Sequence, residues 1–143
     1  MPQLTISVAL CTCNGEKYLR EQLESIARQT RQPNELVVCD DASTDRTIEI
    51  IRDFSATVAF PVRLFINEQR LGSSRNFERA IGFCLRDIIA LSDQDDVWAL
   101  NKLDSIKSLF DSYPDTDALF TDAEIVDQTL QPMGYRLWDA IKF

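Results

Sequence analysis

The chain contains no histidine and no pair of cysteines with the C-x-x-C spacing. The first absence removes the commonest general base and the commonest metal-binding side chain, so Asp and Glu are the acid–base candidates. The second absence argues against a zinc or thioredoxin-like site. We expect the four cysteines, Cys11, Cys13, Cys39 and Cys84, to be reduced, buried thiols of a cytoplasmic protein.

Long apolar runs and an excess of positive charge are also missing. No run approaches the roughly 18 apolar residues of a membrane span, and residues 1–4 lack the basic region of a signal peptide. Lys and Arg number 15 against 23 Asp and Glu, which gives a net charge of −8. Because binding to a nucleic-acid backbone needs a basic surface, no nucleic-acid partner is expected.

Apolar, β-branched runs alternate with helical patterns along the chain. The runs at 4–10, 35–39, 62–66, 88–91 and 118–121 predict five strands, and apolar residues at helical spacing lie between them. Repeated strand–helix–strand units indicate a mostly parallel α/β sheet with right-handed crossovers, and we predict the strand order 3-2-1-4. A chain of 143 residues is long enough for one domain, spanning 1–143.

Local signals predict how the helices and the end of the chain are built. Ser43 or Thr44 is predicted to cap the second helix, and the third helix is expected to bury Phe77 and Ile81. Residues 122–134 are polar and turn-rich, which predicts a short hairpin or a loop over the site. Residues 135–143 are apolar to the last position. We therefore expect a longer parent sequence, or a tail that self-associates or docks elsewhere.

Two acidic clusters follow predicted strands. Asp40 and Asp41 come after the second strand, and the segment Asp-Gln-Asp-Asp at 93–96 comes after the fourth. In the order 3-2-1-4, the first strand lies between them, so both clusters flank the crevice over its carboxyl end. Asp93 and Asp95 are spaced to share one hard cation, and such a cation would convert repulsion of a phosphate into attraction. A solvated acidic loop that caps the fourth helix is the alternative.

Other polar residues near these strand ends have two readings. Arg75 and Asn76 follow a flexible Gly-Ser-Ser turn and could contact a phosphate or ribose, and the alternative for Arg75 is a surface charge. Asp40 and Asp41 could bind a ligand N–H or cap the second helix. Trp98 could be a core anchor or a wall of the pocket.

Five sequence segments, taken together and in their order along the chain, resemble a known protein family. They are ISVALCTCNGEKYL at 6–19, SIARQT at 25–30, VCDDASTD at 38–45, LSDQDDVW at 91–98 and NKL at 101–103. The first resembles the opening of family 2 glycosyltransferases, the third their "VVDDGSTD" segment and the fourth their D-x-D segment. The combination is most similar to the bacterial rhamnosyltransferase-like branch, and it covers nearly the whole chain.

The resemblance implies a GT-A (Rossmann-like) fold with helices on both faces of the sheet. It also implies an inverting transfer, assisted by Mg²⁺ or Mn²⁺, from a UDP- or dTDP-sugar to a saccharide or lipid-linked acceptor in cell-surface polysaccharide synthesis. The whole protein would be cytoplasmic or peripheral at the inner membrane. By matching positions, the nucleotide-binding residues are Thr12, Asn14, Glu16, Asp40, Asp41, Arg75 and Asp93.

The matching positions also imply individual roles. Asp41 would accept a hydrogen bond from the pyrimidine N3–H, with Asp40 supporting it. Asp93 would lie near the ribose and the metal, and Asp95 would bind the metal. Arg75 would reach the diphosphate.

The chain departs from the family pattern at several places. Cys11 and Cys13 replace the Pro and Tyr of many members, which puts base stacking in doubt, and Ala42 replaces a Gly. The resemblance implies that the family's catalytic base, an Asp or Glu, lies beyond residue 143. None of the late acids matches it; these are Asp122, Glu124 and Asp127. We therefore predict donor binding without efficient transfer.

Three other functions are alternatives. A nucleotidyltransferase would need a glycine-rich, basic loop after the first strand, where this chain has one Gly and no Arg. A receiver-like signalling domain would carry its acidic pair after the first strand rather than the second. A non-catalytic nucleotide-binding module stays open.

Overall fold

A computed structural model describes residues 3–142. The described residues form two compact units, which divide between Tyr113 and Pro114. Met1 and Pro2, which the signal-peptide prediction concerned, and Phe143 of the apolar tail lie outside the described residues.

The first unit is built on a four-stranded parallel sheet in the order β3-β2-β1-β4. The strands are β1 Ile6–Thr12, β2 Glu35–Asp40, β3 Val62–Ile66 and β4 Ile88–Asp93. The helices are α1 Leu19–Ala27, α2 Thr47–Ser55, α3 Ser73–Phe83 and α4 Lys102–Ser112. The predicted strand order is confirmed.

The core lies on both faces of this sheet. Every residue of β1 and β2 is buried, which is typical of central parallel strands covered on both sides. On one face, Val8 and Leu10 of β1 share a core cluster with residues of α1, α2 and α4. On the other face, Ala9 and Cys11 pack against α3, where Ala80 is buried. The helices therefore cover both faces, as predicted.

Several predicted boundaries were wrong, and the differences concern polar residues. β1 and β4 extend past their apolar runs to Thr12 and Asp93, because Cys11 stays in parallel register with Cys39 and Asp93. The predicted fifth strand at 118–121 does not form. Its apolar side chains stay accessible, with Phe120 76% exposed. An apolar run becomes a strand only where a neighbouring strand takes up its backbone groups.

Two helix predictions were also wrong. Neither Ser43 nor Thr44 caps α2, because the helix begins later, at Thr47, and the N–H and hydroxyl group of Ser43 both donate to Asp40. Ile81 of α3 is 39% exposed, whereas Asn76 and Ala80 are buried. The buried face of α3 therefore carries a polar residue that an apolar pattern does not reveal.

The second unit is a small hairpin followed by a helix. β5 Glu124–Val126 pairs antiparallel with β6 Pro132–Arg136, and α5 spans Leu137–Ile141. Asp127 closes the turn by accepting hydrogen bonds from the backbone N–H groups of Thr129 and Gln131. The predicted hairpin is confirmed, and its placement over the site stays a prediction. Within residues 3–142, every helix is too short or too polar to cross a membrane.

Candidate functional site

A cleft of about 390 Å³ opens at the carboxyl edge of the sheet. The ends of β1, β2 and β4 meet there because the three strands are adjacent and parallel. This is the edge where open α/β sheets bind ligands. The lining residues are Cys11, Thr12, Cys13, Asp41, Arg70, Gly72, Ser73, Asn76, Asp93, Gln94 and Asp95.

Four of the predicted site residues line this cleft together. They are Thr12 from β1, Asp41 after β2, Asp93 at the end of β4 and Asp95 just after it. The other four are not among the lining residues; these are Asn14, Glu16, Asp40 and Arg75. Their contacts show what they do in the folded chain.

Asp40 is fully buried at the end of β2. Its carboxylate accepts hydrogen bonds from the Thr12 hydroxyl at 2.7 Å, from the Ser43 N–H at 2.8 Å and from the Ser43 hydroxyl at 2.6 Å. Asp40 therefore holds the end of β1 and the turn before α2, and it orients a cleft residue without lining the cleft itself.

Asp41 is buried, and its carboxylate accepts three hydrogen bonds within the chain. Oδ1 accepts from Asn67 Nδ2 at 2.8 Å and from the Leu71 N–H at 2.7 Å, and Oδ2 accepts from the Gly72 N–H at 2.9 Å. Burial alone would raise the pKa of Asp41, but these hydrogen bonds hold that pKa below its ordinary value. A carboxylate has about four acceptor positions, so one remains for a ligand N–H.

Asn14 and Glu16 join the turn after β1 to the turn after β2. Asn14 adopts a left-handed backbone (φ 48°), and its side-chain oxygen accepts from the Thr44 N–H at 2.8 Å. Glu16 accepts from the Arg46 N–H at 3.1 Å, and its own N–H donates to Asp45. Both residues brace the rim of the cleft.

The acidic segment after β4 has the electrostatics of an anionic site. Asp93 is exposed by surface area, yet partial desolvation, followed by the charge of Asp95, raises its pKa. Burial and the charges of Asp93 and Asp95 raise the pKa of Asp96, against the effect of Lys102. Like charges held together in this way would be relieved by a cation.

Asp93 and Asp95 are the cleft residues that could supply part of the coordination of a divalent ion. Both carboxylates line the cleft, and Mg²⁺ is commonly held by one or two carboxylates together with substrate phosphates. Within residues 3–142, no group of three His, Cys, Asp or Glu side chains is arranged to hold a metal.

Helix α1 holds both flanks of this segment through buried polar side chains. Gln22 Nε2 donates to the Ser92 hydroxyl at 2.5 Å, and Ser25 Oγ accepts from the Trp98 N–H at 3.0 Å. Gln29 donates to the carbonyl of Ala99 at 2.7 Å. Gln22 and Ser25 on α1, together with Gln29 just after its end, therefore fix the position of the acidic segment.

Trp98 belongs to the core and not to the cleft wall. Its side chain is 5% exposed and lies in the same apolar cluster as α1 and α4. The Lys102 ammonium stacks over its ring at 4.7 Å from the centroid. The core reading of this residue is therefore the one that the structure supports.

Asn76, which the sequence offered beside Arg75 as a phosphate or ribose contact, lines the cleft, whereas Arg70, Ser73 and Gln94 were not predicted as site residues. Gln94 lies inside the acidic segment, so its position was a usable signal. Arg70 carries no such signal, because only the course of the chain between β3 and α3 brings it to the cleft. Arg75 is exposed on the first turn of α3.

Comparisons with known proteins agree with this geometry. The family model described as glycosyl transferase family 2 matches residues 7–137. A relative from Escherichia coli, UDP-Glc:alpha-D-GlcNAc-diphosphoundecaprenol beta-1,3-glucosyltransferase WfgD, is 31% identical over 73% of this chain and 40% of its own length. The dTDP-rhamnosyl transferase RfbG of Shigella flexneri is 33% identical over 66% of this chain and 34% of its own length.

Two solved structures share the fold. S. aureus TarS 1–349 in complex with UDP superimposes with a TM-score of 0.71 at 23% identity, covering 86% of this chain and 42% of that one. The mannosyltransferase PcManGT of Pyrobaculum calidifontis, in complex with GDP-Man and Mn²⁺, gives 0.68 at 25% identity, covering 89% and 36%. The chain thus spans well under half the length of these relatives and structures.

Proposed function

The chain belongs to the family 2 glycosyltransferases, and from this premise we propose that it forms the donor-binding part of an enzyme of cell-surface polysaccharide synthesis. The donor is a nucleotide-diphosphate sugar, with UDP or dTDP as the nucleotide. The observation that carries the proposal is the cleft itself, where Asp41 from one flank of β1 meets Asp93 and Asp95 from the other.

Different cleft residues contact different parts of the donor. Asp41, kept ionised by three donors of the chain, accepts the N–H of the nucleotide base at its remaining acceptor position. Arg70, the one cation among the described lining residues, contacts the diphosphate. The Thr12 hydroxyl donates to Asp40, so Thr12 presents an acceptor oxygen to the ligand.

Asp93 and Asp95 would hold Mg²⁺ or Mn²⁺ bound to the diphosphate. The metal supplies stabilisation of the negative charge that develops on the leaving nucleoside diphosphate. The family relationship and the Mn²⁺ in the PcManGT complex support this assignment. Without a cation, two carboxylates at the cleft would repel the phosphates.

We propose that transfer inverts the anomeric centre and needs a general base from outside the cleft. The acids that line the described cleft are Asp41, Asp93 and Asp95, and each already has a role toward the nucleotide or the metal. The 143-residue chain therefore binds donor but transfers sugar slowly. The acceptor is a saccharide or a lipid-linked saccharide, and a longer form that supplies the base would give a product of inverted configuration by NMR. A product of retained configuration would overturn this part of the proposal.

The experiment that tests donor binding is calorimetry of UDP and dTDP with and without Mn²⁺. We expect binding that depends on the metal, and we expect Asp95→Asn to remove that dependence. Asp53→Asn, which changes an exposed carboxylate of α2, serves as the matched control and should bind like the wild type. Binding of equal strength without metal would contradict the metal assignment.

A non-catalytic binding module is the second candidate, supported by the absence of an uncommitted acid among the described cleft residues. The two candidates differ in turnover. A donor-binding part of an enzyme releases UDP from its UDP-sugar slowly but measurably, whereas a module releases none above the rate in buffer.

A cytoplasmic location is also proposed. The four cysteines are unpaired, as expected in a reducing compartment. Titration of the protein, purified from cells with thiols blocked at lysis, should give four free thiols. Recovery of a disulfide would count against this location.

A further inference from the structure

The side chain of Gln94 pairs with both backbone groups of Cys13. The Cys13 N–H donates to Gln94 Oε1 at 2.8 Å, and Gln94 Nε2 donates to the Cys13 carbonyl at 3.1 Å. The side-chain amide of Gln94 therefore pairs with Cys13 as the backbone of a neighbouring strand would. It links the acidic segment after β4 to the turn after β1, and both of these line the cleft.

Gly15 makes room for this side chain. A Cβ at Gly15 would lie 2.3 Å from Gln94 Oε1 and 2.7 Å from Gln94 Cδ, which is inside contact distance. The described glycines with a positive φ are Gly72 and Gly134, so the backbone conformation at Gly15 does not itself call for glycine. Close approach of Gln94 explains this glycine.

The acidic segment needs such a link because the sheet does not hold it. β4 ends at Asp93, so Asp95 lies beyond the last strand pairing. Helix α1 holds the flanks at Ser92 and Trp98. Between those flanks, among the described residues, Gln94 is the side chain that ties the segment to the neighbouring strand.

We propose that Gln94 is a positioning residue of the donor site, with Gly15 as its required partner. It holds Asp93 and Asp95 on either side of it at a set distance from the turn after β1, so that a metal-bound diphosphate meets both carboxylates at once. This inference rests on the proposed function, and it adds the reason why a glutamine separates the two acids.

The test compares Gln94→Ala, Gly15→Ala and the double variant by calorimetry with UDP, in the presence and absence of Mn²⁺. We expect Gln94→Ala to weaken the metal-dependent affinity about tenfold, because the variant loses both hydrogen bonds to Cys13. Gly15→Ala should act similarly, because its methyl group expels the Gln94 amide. The electron paramagnetic resonance spectrum of bound Mn²⁺ should broaden in both variants, since the carboxylates become less ordered.

The double variant makes the test specific. Once Gln94 is cut back to Ala, the atom left near the Gly15 methyl position is Cβ, at 3.4 Å, which is ordinary contact. Adding Gly15→Ala to Gln94→Ala should then lower the metal-dependent affinity no further. The effects of the two substitutions on this affinity should therefore be strongly non-additive. Additive effects, or an unchanged metal-dependent affinity in Gln94→Ala, would overturn the inference.

The wild-type arm separates this inference from the proposed function. If the wild type shows no metal-dependent UDP or dTDP binding, the proposed function fails and the inference falls with it. If the wild type binds and Gln94→Ala binds equally well, only the inference fails. Should Gly15→Ala not fold by circular dichroism, the comparison of Gln94→Ala with wild type, in affinity and in the Mn²⁺ spectrum, decides alone.

Discussion

The carboxylate of Asp41 accepts a hydrogen bond from the backbone N–H of Gly72 at 2.9 Å, so the end of β2 holds the start of α3. Gly72 has a φ of 86°, which favours glycine, and the adjacent Leu71 N–H donates to the same carboxylate at 2.7 Å. Asp41 therefore holds the segment between β3 and α3 at the cleft, in addition to its proposed role toward the nucleotide base.

Replacing Asp41 with Asn should destabilise the first unit in a pH-dependent way. At neutral pH we expect a loss of about 2–3 kcal/mol, because an amide nitrogen would face a backbone donor in a buried place. The folded pKa of Asp41 is lowered, so its ionised form stabilises the fold above the unfolded pKa of about 3.9. That contribution is lost as the pH falls below this value, toward the folded pKa.

Urea unfolding at pH 7 and at pH 3 measures this change. The gap between wild type and Asp41→Asn should shrink at the lower pH, and Asp53→Asn on the surface of α2 should differ little from wild type at both. A gap that does not change with pH would mean that the charge of Asp41 contributes nothing to stability.

Replacing Ala42 with Gly should stabilise the fold. Ala42 has a φ of 57°, a left-handed backbone that costs a residue with a Cβ about 1–2 kcal/mol. Part of this is offset by the greater freedom of glycine in the unfolded chain, so we expect a net gain of about 0.5–1 kcal/mol by thermal or urea unfolding. Ala80→Gly, inside α3, should have the opposite sign.

Arg70 and Arg75 are the two candidates for the residue that contacts the diphosphate. Arg70 lines the cleft, whereas Arg75 is exposed on the first turn of α3. We expect Arg70→Ala to weaken UDP binding about tenfold and Arg75→Ala to weaken it much less, since a charge-assisted hydrogen bond is lost only in the first. Calorimetry at two salt concentrations measures both. The reverse order would favour Arg75, as the family resemblance implies.

Two Glu–Arg ion pairs, one with a buried glutamate and one exposed, allow the effect of burial on the contribution of an ion pair to stability to be measured. Glu35 and Arg63 lie 3.2 Å apart with the Glu35 side chain 2% exposed, and Glu24 and Arg28 lie 3.2 Å apart on the surface. Glu35 also accepts hydrogen bonds from the Ser7 hydroxyl and the Leu85 N–H.

Glu35→Gln should therefore lower the free energy of unfolding by about 2–3 kcal/mol, because it leaves a half-buried cation without its partner. Glu24→Gln should lower it by less than about 1 kcal/mol. Urea unfolding of both variants at pH 7 gives the comparison, and equal losses would show that burial is not the deciding factor.

Much of the fold could be predicted from local patterns. The order β3-β2-β1-β4 followed from alternating strands and helices, since right-handed crossovers leave few arrangements for such a chain. The failure at 118–121 has a physical reason. The run is apolar enough for a strand, but strand pairing is a non-local interaction that the run itself does not encode.

The sequence by itself determined the family, the sheet and the place of the site, because acidic residues that follow parallel strands must gather at one edge. The tertiary structure alone decided which of them reach the cleft. Asp40 and Asp41 are neighbours in sequence, yet Asp40 is fully buried, where it accepts a hydrogen bond from Thr12, and Asp41 lines the cleft. Gln94 found its partner in the Cys13 backbone, 81 residues away. Such contacts depend on the register of β1 against β4, which only the folded sheet defines.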